Sequence, residues 1–520
     1  MPAVPSFIQH SPSRGCGAGS NPFIDISFAA RVMIVIYFVF WRFLPEIAAA
    51  MQFDTPATHI VVARMVVRLL TDFLMLLPFC LYRFAGLPIG WLHPLVLPTL
   101  LSIAKRAATD PATLLVAVTT WLAPDAVPAY RLVGDLPLAD RLAVEMKLGA
   151  FLLLAQASYI VGFAALSAHI QDAHRIRVHK ASKWRFLLIF TASFVVFLLY
   201  IQMNGGLIAH FSSLALGRFK VGGDAGHFLV IIALMPFLLS LWYLDNPNVI
   251  RKMWFIGLLI AAIFAQYATT GSRSALIIPV VLMLATWMLV NRKAPGLRFG
   301  MIGVFVFLSM GTLGEFRSSS FRNEGTVDLG VLTNFDVLAA AESTMAQRAA
   351  RDEVSGQAAI MYAVPQHTSY LYGVTYVASI AFFVPRAIWP GKPRGPGAHV
   401  GAILFAGWDT ADGYTGAGYP AGGVGEAYWN FGVPGIVIVH LLYGMFSWYV
   451  AYRYTRDPGD PFKALTLLLT MIVLMDASSD SIVGFLQTMV LMYLSWKFVR
   501  LPTRRQASFT ADAKVEGDAR

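Results

Sequence analysis

Basic residues occupy an unexpected place in this sequence, at the ends of apolar segments and in connections that a membrane protein usually keeps poor in cations. Arg273 is the clearest case, since it lies in a tight turn, Thr270-Gly271-Ser272-Arg273-Ser274, between two apolar segments. Backbone N–H groups at the start of a helix suit an anion, and guanidinium groups bind phosphate oxygens in bidentate fashion. The pattern predicts a phosphate or pyrophosphate site formed by Arg218, Arg273, Arg317, Arg386 and Lys392, with Gly271 and Ser272. The alternative is that each arginine only anchors its helix at the lipid headgroups.

Composition identifies the kind of protein that would position these residues. The chain has 520 residues, 57% of them hydrophobic and only 13% charged, with a mean hydropathy of +0.62. Soluble domains carry about 25% charged residues, so the sequence predicts an all-α polytopic membrane protein and excludes secreted, fibrous and disordered classes. The two cysteines exclude a disulfide, zinc or iron–sulfur framework. The net charge of +11 is attributed to basic cytoplasmic loops and not to nucleic acid, and no cleavable signal peptide is expected.

Apolar runs predict about 12–14 transmembrane helices. Lys and Arg in short loops set their orientation, and from residue 148 onward the basic loops alternate consistently if 371–389 does not cross. The candidate spans are 27–46, 65–82, 87–104, 112–127, 148–168, 185–203, 226–244, 254–270, 275–291, 299–313, 431–451, 463–477 and 481–498.

The predicted organisation follows from these spans, and its most informative part is a long connection on the outer side. Loops of that length on a rigid scaffold usually carry function. The predicted parts are a polar N-terminal segment at 1–26, N-terminal helices of uncertain topology at 27–147, a transmembrane core at 148–313, a large outer loop region at 314–430 with a re-entrant or interfacial helix near 371–389, C-terminal transmembrane helices at 431–500 and a cytoplasmic tail at 501–520.

Three segments in order along the chain carry a family resemblance. The turn Gly271-Ser272-Arg273-Ser274 is one, and the run from Tyr372-Gly373-Val374-Thr375-Tyr376 through Pro385-Arg386 to Trp389-Pro390-Gly391-Lys392-Pro393 is the second. The third is Gly422-Gly423-Val424-Gly425-Glu426-Ala427-Tyr428-Trp429-Asn430-Phe431-Gly432. Together, over residues 200–500, they resemble the Wzy-type O-antigen and exopolysaccharide repeat-unit polymerases.

The resemblance implies a GT-C-like bundle with a large periplasmic loop region in the bacterial inner membrane. It implies an inverting glycosyltransferase that joins oligosaccharide repeat units, with undecaprenyl-pyrophosphate-linked donor and acceptor, at the periplasmic face. It leaves open a chain-length-regulating partner. No metal-ligand spacing is found, so arginine and not a divalent metal is expected to stabilise the leaving pyrophosphate, and no cofactor is expected.

Such a reaction needs a base near the acceptor hydroxyl. The candidates are Glu426 and His367, followed by His399, Asp409, Asp412 and Glu315. Glu426 is preferred because it approaches the span 431–451 within the most family-like segment, although an ion pair or a helix cap is the alternative for it. Aromatic residues of the same stretch suit pyranose rings or an interfacial belt, and the predicted glycan contacts are Trp389, Tyr428, Asn430 and Tyr376.

Two other functions remain open. An O-antigen ligase shares the outer loop and its arginines, and only the third segment favours a polymerase. A transporter of an anionic substrate is disfavoured because no internal repeat is found and because the charges are expected at one surface, not in the middle of the spans.

Overall fold

A computed structural model describes residues 21–51, 58–100, 138–167, 181–207, 209–211, 226–270, 274–296, 356–381, 384, 388–393, 395–405, 419–474 and 477–501. Within these ranges the protein is almost entirely helical, and its two strands form one small hairpin. The elements are α1 Phe28–Phe38, α2 Leu44–Met51, α3 Thr58–Cys80, β1 Arg83–Phe84, β2 Leu87–Pro88, α4 Leu138–Ala165, α5 Lys183–Met203, α6 Gly226–Asp245, α7 Met253–Thr270, α8 Ser274–Asn291, α9 Gly356–Ala363, α10 Val374–Ile380, α11 Pro396–Phe405, α12 Gly423–Thr455, α13 Pro461–Ile472 and α14 Ser479–Val499.

Six of the described helical segments are long and apolar enough to cross a membrane, as an α-helical membrane protein requires. Three shorter apolar helices accompany them in the same ranges: Met253–Thr269, Ala275–Asn291 and Pro461–Ile472. The predicted spans at 112–127 and 299–313 lie outside the described residues. The six segments are Phe28–Ile47, Leu142–Ala165, Lys183–Met203, Phe228–Asp245, Gly423–Thr455 and Ser479–Val499.

Helix α6 lies at the centre of the bundle and packs against α5, α7, α8, α13 and α14. Its apolar side chains point in all directions and are buried, for example Ile232, Leu238 and Leu241 at 0% exposure. A helix that is apolar all round is stable only when neighbours or lipid cover every face, so α6 organises the main core.

One end of the bundle gathers the loops that the sequence marks as basic. Ser182 N donates to Val499 O at 2.9 Å, which joins the start of α5 to the end of α14. Arg292 Nη1 at the end of α8 and the Tyr454 hydroxyl of α12 both donate to Pro22 O, at 2.7 and 3.3 Å. We call this end the basic end. Helices α6, α8, α12 and α14 begin at the opposite end, where α5 terminates.

Residues 87–96 correct the predicted span at 87–104. They form the second strand of the hairpin and a series of turns, with Trp91 N donating to Ile24 O at 2.9 Å and Leu92 N to Phe23 O at 3.1 Å. Pro88 and Pro94 lack the N–H that a helix interior needs, which explains why this apolar stretch does not continue as one helix.

The C-terminal boundary also differs from the prediction. Helix α12 begins at Gly423, inside the predicted loop region 314–430, and it is broken at Gly432, whose φ of 66° and ψ of −154° are not helical. Pro434 follows and cannot donate to the carbonyl four residues earlier. In the described part of 371–389 the helix α10 has seven residues, which is too short to cross a bilayer. A re-entrant or interfacial position of this segment therefore remains the prediction.

Ion pairs inside the N-terminal helices were not expected. Arg42 Nη2 lies 2.6 Å from Asp72 Oδ1, although these residues belong to the predicted spans 27–46 and 65–82. Arg64 Nη1 on α3 lies 2.5 Å from Glu145 Oε2 on α4. In each pair the cation is offset by a carboxylate from another helical segment, as charges in membrane segments usually are.

Candidate functional site at the start of α12

Two of the three family-like segments contact each other directly. The Thr375 hydroxyl of α10 donates to Glu426 Oε1 at 2.5 Å. Gly373 N donates to Asn430 Oδ1 at 3.0 Å, and Leu371 N donates to Trp429 O at 2.9 Å. Residues that carry the resemblance in one segment are thus the hydrogen-bond partners of those in the other.

Glu426 is the centre of this contact. Its side chain is 0% exposed, and its second oxygen, Oε2, accepts the backbone N–H of Ser479 at 2.8 Å. Ser479 is the first residue of α14, where unpaired N–H groups and the helix dipole favour an anion. The carboxylate therefore joins α10, α12 and α14 at the opposite end of the bundle.

Asn430 fixes the direction of the hydrogen bonds around Glu426. Its Nδ2 donates to Thr375 Oγ1 at 2.8 Å and to Glu426 O at 2.9 Å. Because the threonine oxygen accepts from the amide, its own proton goes to the carboxylate. The chain from amide to hydroxyl to carboxylate polarises each bond in the same sense.

Tyr428 and Trp429 anchor the same segment to the preceding loop. The Tyr428 hydroxyl donates to Val364 O at 3.3 Å, and Trp429 Nε1 donates to Ser369 O at 3.1 Å. Both side chains are buried, at 5% and 2% exposure. The hydrogen bond with Tyr428, together with burial, raises the pKa of Tyr370, which lies in this loop. In this state Tyr428 contacts protein and not solvent.

The remaining described candidates are not among the hydrogen-bond partners of Glu426 given above. The His367 ring stacks on Tyr362 with centroids 5.0 Å apart. Tyr376 stacks on Phe431 at 5.8 Å. Lys392 Nζ donates to Val384 O at 3.3 Å. Trp389 is 39% exposed, which leaves it the most accessible aromatic of the four predicted glycan contacts.

Most of the predicted pyrophosphate ligands lie outside the described residues: Arg218, Gly271, Ser272, Arg273, Arg317 and Arg386. Two of the segments that lead to them do meet, because His210 Nε2 lies 2.6 Å from Ala268 O near the end of α7. Burial lowers the pKa of His210, and the hydrogen bond with Ala268 O partly opposes this shift.

Sequence reasoning missed Thr375 and Ser479 as partners of Glu426, and it missed Lys147. Thr375 lies within a recognised segment, but only the fold shows that its hydroxyl meets the carboxylate. Within the described ranges no three His, Cys, Asp or Glu side chains are grouped as metal ligands.

Replacing Thr375 by valine tests whether the hydroxyl is a structural part of this site. Valine should lower the free energy of unfolding by about 1–3 kcal/mol, because Glu426 Oε1 and Asn430 Nδ2 both lose a buried partner. Thermal unfolding of the purified protein measures this. Thr286→Val is the matched control, since the buried Thr286 hydroxyl only returns to Leu282 O of its own helix. Equal losses in both variants would contradict a special contribution of Thr375.

These features define an α-helical membrane protein with a buried carboxylate where a broken helix meets a short helix and the start of α14. No protein-family profile, no curated protein sequence and no solved structure matches this chain.

Proposed function

We propose that this protein is a membrane-embedded glycosyltransferase that polymerises undecaprenyl-pyrophosphate-linked repeat units at the periplasmic face of the bacterial inner membrane. The observation that carries the proposal is the contact of Thr375 and Gly373 with Glu426 and Asn430. Two segments chosen for their resemblance to repeat-unit polymerases form one buried polar site, which is what a shared catalytic centre would require.

In the proposed reaction Glu426 is the base. The acceptor sugar hydroxyl takes the place of the Thr375 hydroxyl at Oε1 and transfers its proton to the carboxylate as its oxygen attacks the anomeric carbon. The bond from that carbon to the pyrophosphate breaks with inversion, and the leaving group departs as a pyrophosphate anion. The arginines of the outer connections stabilise its charge.

The arrangement of charges supports the proposed orientation. Basic loops meet at one end of the bundle, and the positive-inside rule favours that end as cytoplasmic. Glu426 lies at the other end, where α7 ends at Thr270 and α8 begins at Ser274. A lipid-linked pyrophosphate would present its charge there.

The glycan profile of cells that lack the gene tests the function directly. We expect a single repeat unit in place of a ladder on a gel, with the ladder restored by the wild-type gene. Polymer that is made but remains on its lipid carrier would indicate an O-antigen ligase. An unchanged profile would reject both and favour a transporter of an anionic substrate, for which the Arg42–Asp72 and Arg64–Glu145 pairs inside the helices are the supporting observation.

The arginines should be needed for chain extension but not for insertion. Arg273→Ala, Arg317→Ala and Arg386→Ala should each leave membrane-inserted protein without polymer, since the leaving pyrophosphate loses a bidentate partner. Lysine at the same positions should restore little, because its ammonium group lacks the planar fork. Gel-resolved polymer and protein amount are measured together. Normal polymer from all three alanine variants would contradict the pyrophosphate clamp.

A further inference from the structure

Lys147 on α4 is a half-buried cation close to the Glu426 segment. Its Nζ donates to Met361 O at 2.8 Å and to Val364 O at 3.2 Å, and it lies 4.6 Å from the centroid of the Tyr428 ring. Among the described residues no carboxylate lies within ion-pair distance of this amine. Neutral acceptors orient the ammonium group, but they leave its charge uncompensated.

Other cations in the neighbouring helical segments form ion pairs with carboxylates. Arg42 pairs with Asp72, and Arg64 pairs with Glu145, only two residues before Lys147. Arg68 lies 2.6 Å from Glu46. Charged side chains in membrane segments usually pair or mark a functional path. Each of these three arginines is paired with a carboxylate, whereas Lys147 keeps its charge available.

Two tyrosine rings lie beside Lys147. Tyr370 and Tyr428 rings lie edge to face with centroids 6.0 Å apart. The charge of Lys147 also acts on the Tyr370 hydroxyl, where it opposes the effects that raise the pKa of this tyrosine. The ammonium group has three N–H donors, of which Met361 O and Val364 O take two, and a lysine ammonium binds phosphate oxygens.

We infer that Lys147 is the fixed cation of a phosphate-binding site, bordered by Tyr370 and Tyr428, that holds a phosphate group of the lipid-linked substrate. The identity of the substrate rests on the proposed function, whereas the anion site does not. Lys147 lies five residues beyond Leu142, where the apolar segment of α4 begins. This places it about 8 Å into that segment, within reach of a headgroup at the membrane surface.

Thermal unfolding of the full-length protein in phosphatidylcholine nanodiscs, titrated with inorganic pyrophosphate, tests the inference. Pyrophosphate should raise the melting temperature of the wild type. Lys147→Gln should require about tenfold more pyrophosphate or higher for the same rise, as loss of one charge-assisted hydrogen bond predicts. Lys147→Arg, which keeps the charge, should stay within about threefold.

Lys183→Gln is the matched control and should behave as the wild type. Lys183 also lies over an aromatic ring, with Nζ 5.4 Å from the centroid of Trp184, but it belongs to the basic end. If Lys147→Gln lowers the melting temperature without changing the pyrophosphate dependence, Lys147 only caps the carbonyls at the end of α9 and the inference is wrong. A wild type that pyrophosphate does not stabilise would also overturn it.

Two further experiments are needed. The first distinguishes a phospholipid headgroup from the phosphate of a lipid-linked substrate, and the second distinguishes failure of this inference from failure of the proposed function. If phosphatidylglycerol in the nanodiscs abolishes the pyrophosphate effect, the site binds phospholipid headgroups and the substrate assignment is wrong. If Lys147-dependent pyrophosphate binding is found but the glycan profile does not depend on the gene, the anion site stands and the proposed function fails. If the ladder depends on the gene but binding does not depend on Lys147, only the present inference fails.

Discussion

On the proposed function, Glu426→Gln should leave cells with single repeat units where the wild type makes a ladder. The amide cannot accept a proton from the acceptor hydroxyl, and general-base catalysis typically contributes about 10²–10⁴-fold. Glutamine also presents an NH₂ group to one of two fixed donors, the Thr375 hydroxyl or the Ser479 N–H. Some loss of stability is therefore expected beside the loss of activity.

Two further variants separate the loss of the base from the loss of stability. Thr375→Val removes one donor to the carboxylate but keeps the base, so it should lower stability and still permit a ladder. Asp140→Asn, at an exposed position in the first turn of α4, controls for loss of a negative charge. If Glu426→Gln yields inserted protein and a normal ladder, Glu426 is only a structural partner of α10 and α14.

Alanine at Gly444 should disrupt the packing of α12 against α4. A Cβ at Gly444 would lie 2.1 Å from Tyr159 O, and one at Gly162 would lie 2.1 Å from Leu441 O. The two helices thus approach through a glycine on each side, as small residues allow in membranes. Because the obstacle is backbone, relief requires the helices to separate. The cost of such overpacking is about 1–3 kcal/mol or more.

Melting temperatures in detergent would measure this loss. Gly257→Ala is the matched control, since Gly257 lies within α7 and a Cβ there would meet nothing within 4 Å. Alanine at Gly257 should be neutral or stabilise α7 by up to about 1 kcal/mol. Equal melting temperatures for Gly444→Ala and Gly257→Ala would contradict the close helix contact.

The sequence predicts the apolar helices closely because lipid and core both require long apolar runs. The span predicted at 275–291 is α8 Ser274–Asn291, and the one at 185–203 is α5 Lys183–Met203. Prediction fails where backbone chemistry overrides hydropathy. Residues 87–96 contain two prolines and form the second strand of the hairpin followed by turns. The glycine-rich segment from Gly423, which was predicted as part of a loop, forms the first turns of α12.

The residues of the site could be predicted only in part from the sequence, for a different reason. Glu426 and Asn430 could be selected because they lie in one recognisable segment. Their partner Thr375 is 51 residues from Glu426, and Ser479 is 53 residues away. No local periodicity relates positions so far apart, and the same holds for Lys147, whose carbonyl partners lie more than 200 residues further on.

The break at Gly432 has a consequence for where a proton could leave. Helix α12 has 33 residues and rises about 50 Å, whereas the hydrocarbon core is about 30 Å thick. The part from Val433 to Thr455 rises about 34 Å, which is enough to cross that core without the residues before the break. The first part of α12 would then stand among the headgroups, with Glu426 about 9 Å beyond the break. In the proposed reaction, a proton taken up by Glu426 would have a short route to bulk water, and turnover would need no proton wire through the bilayer.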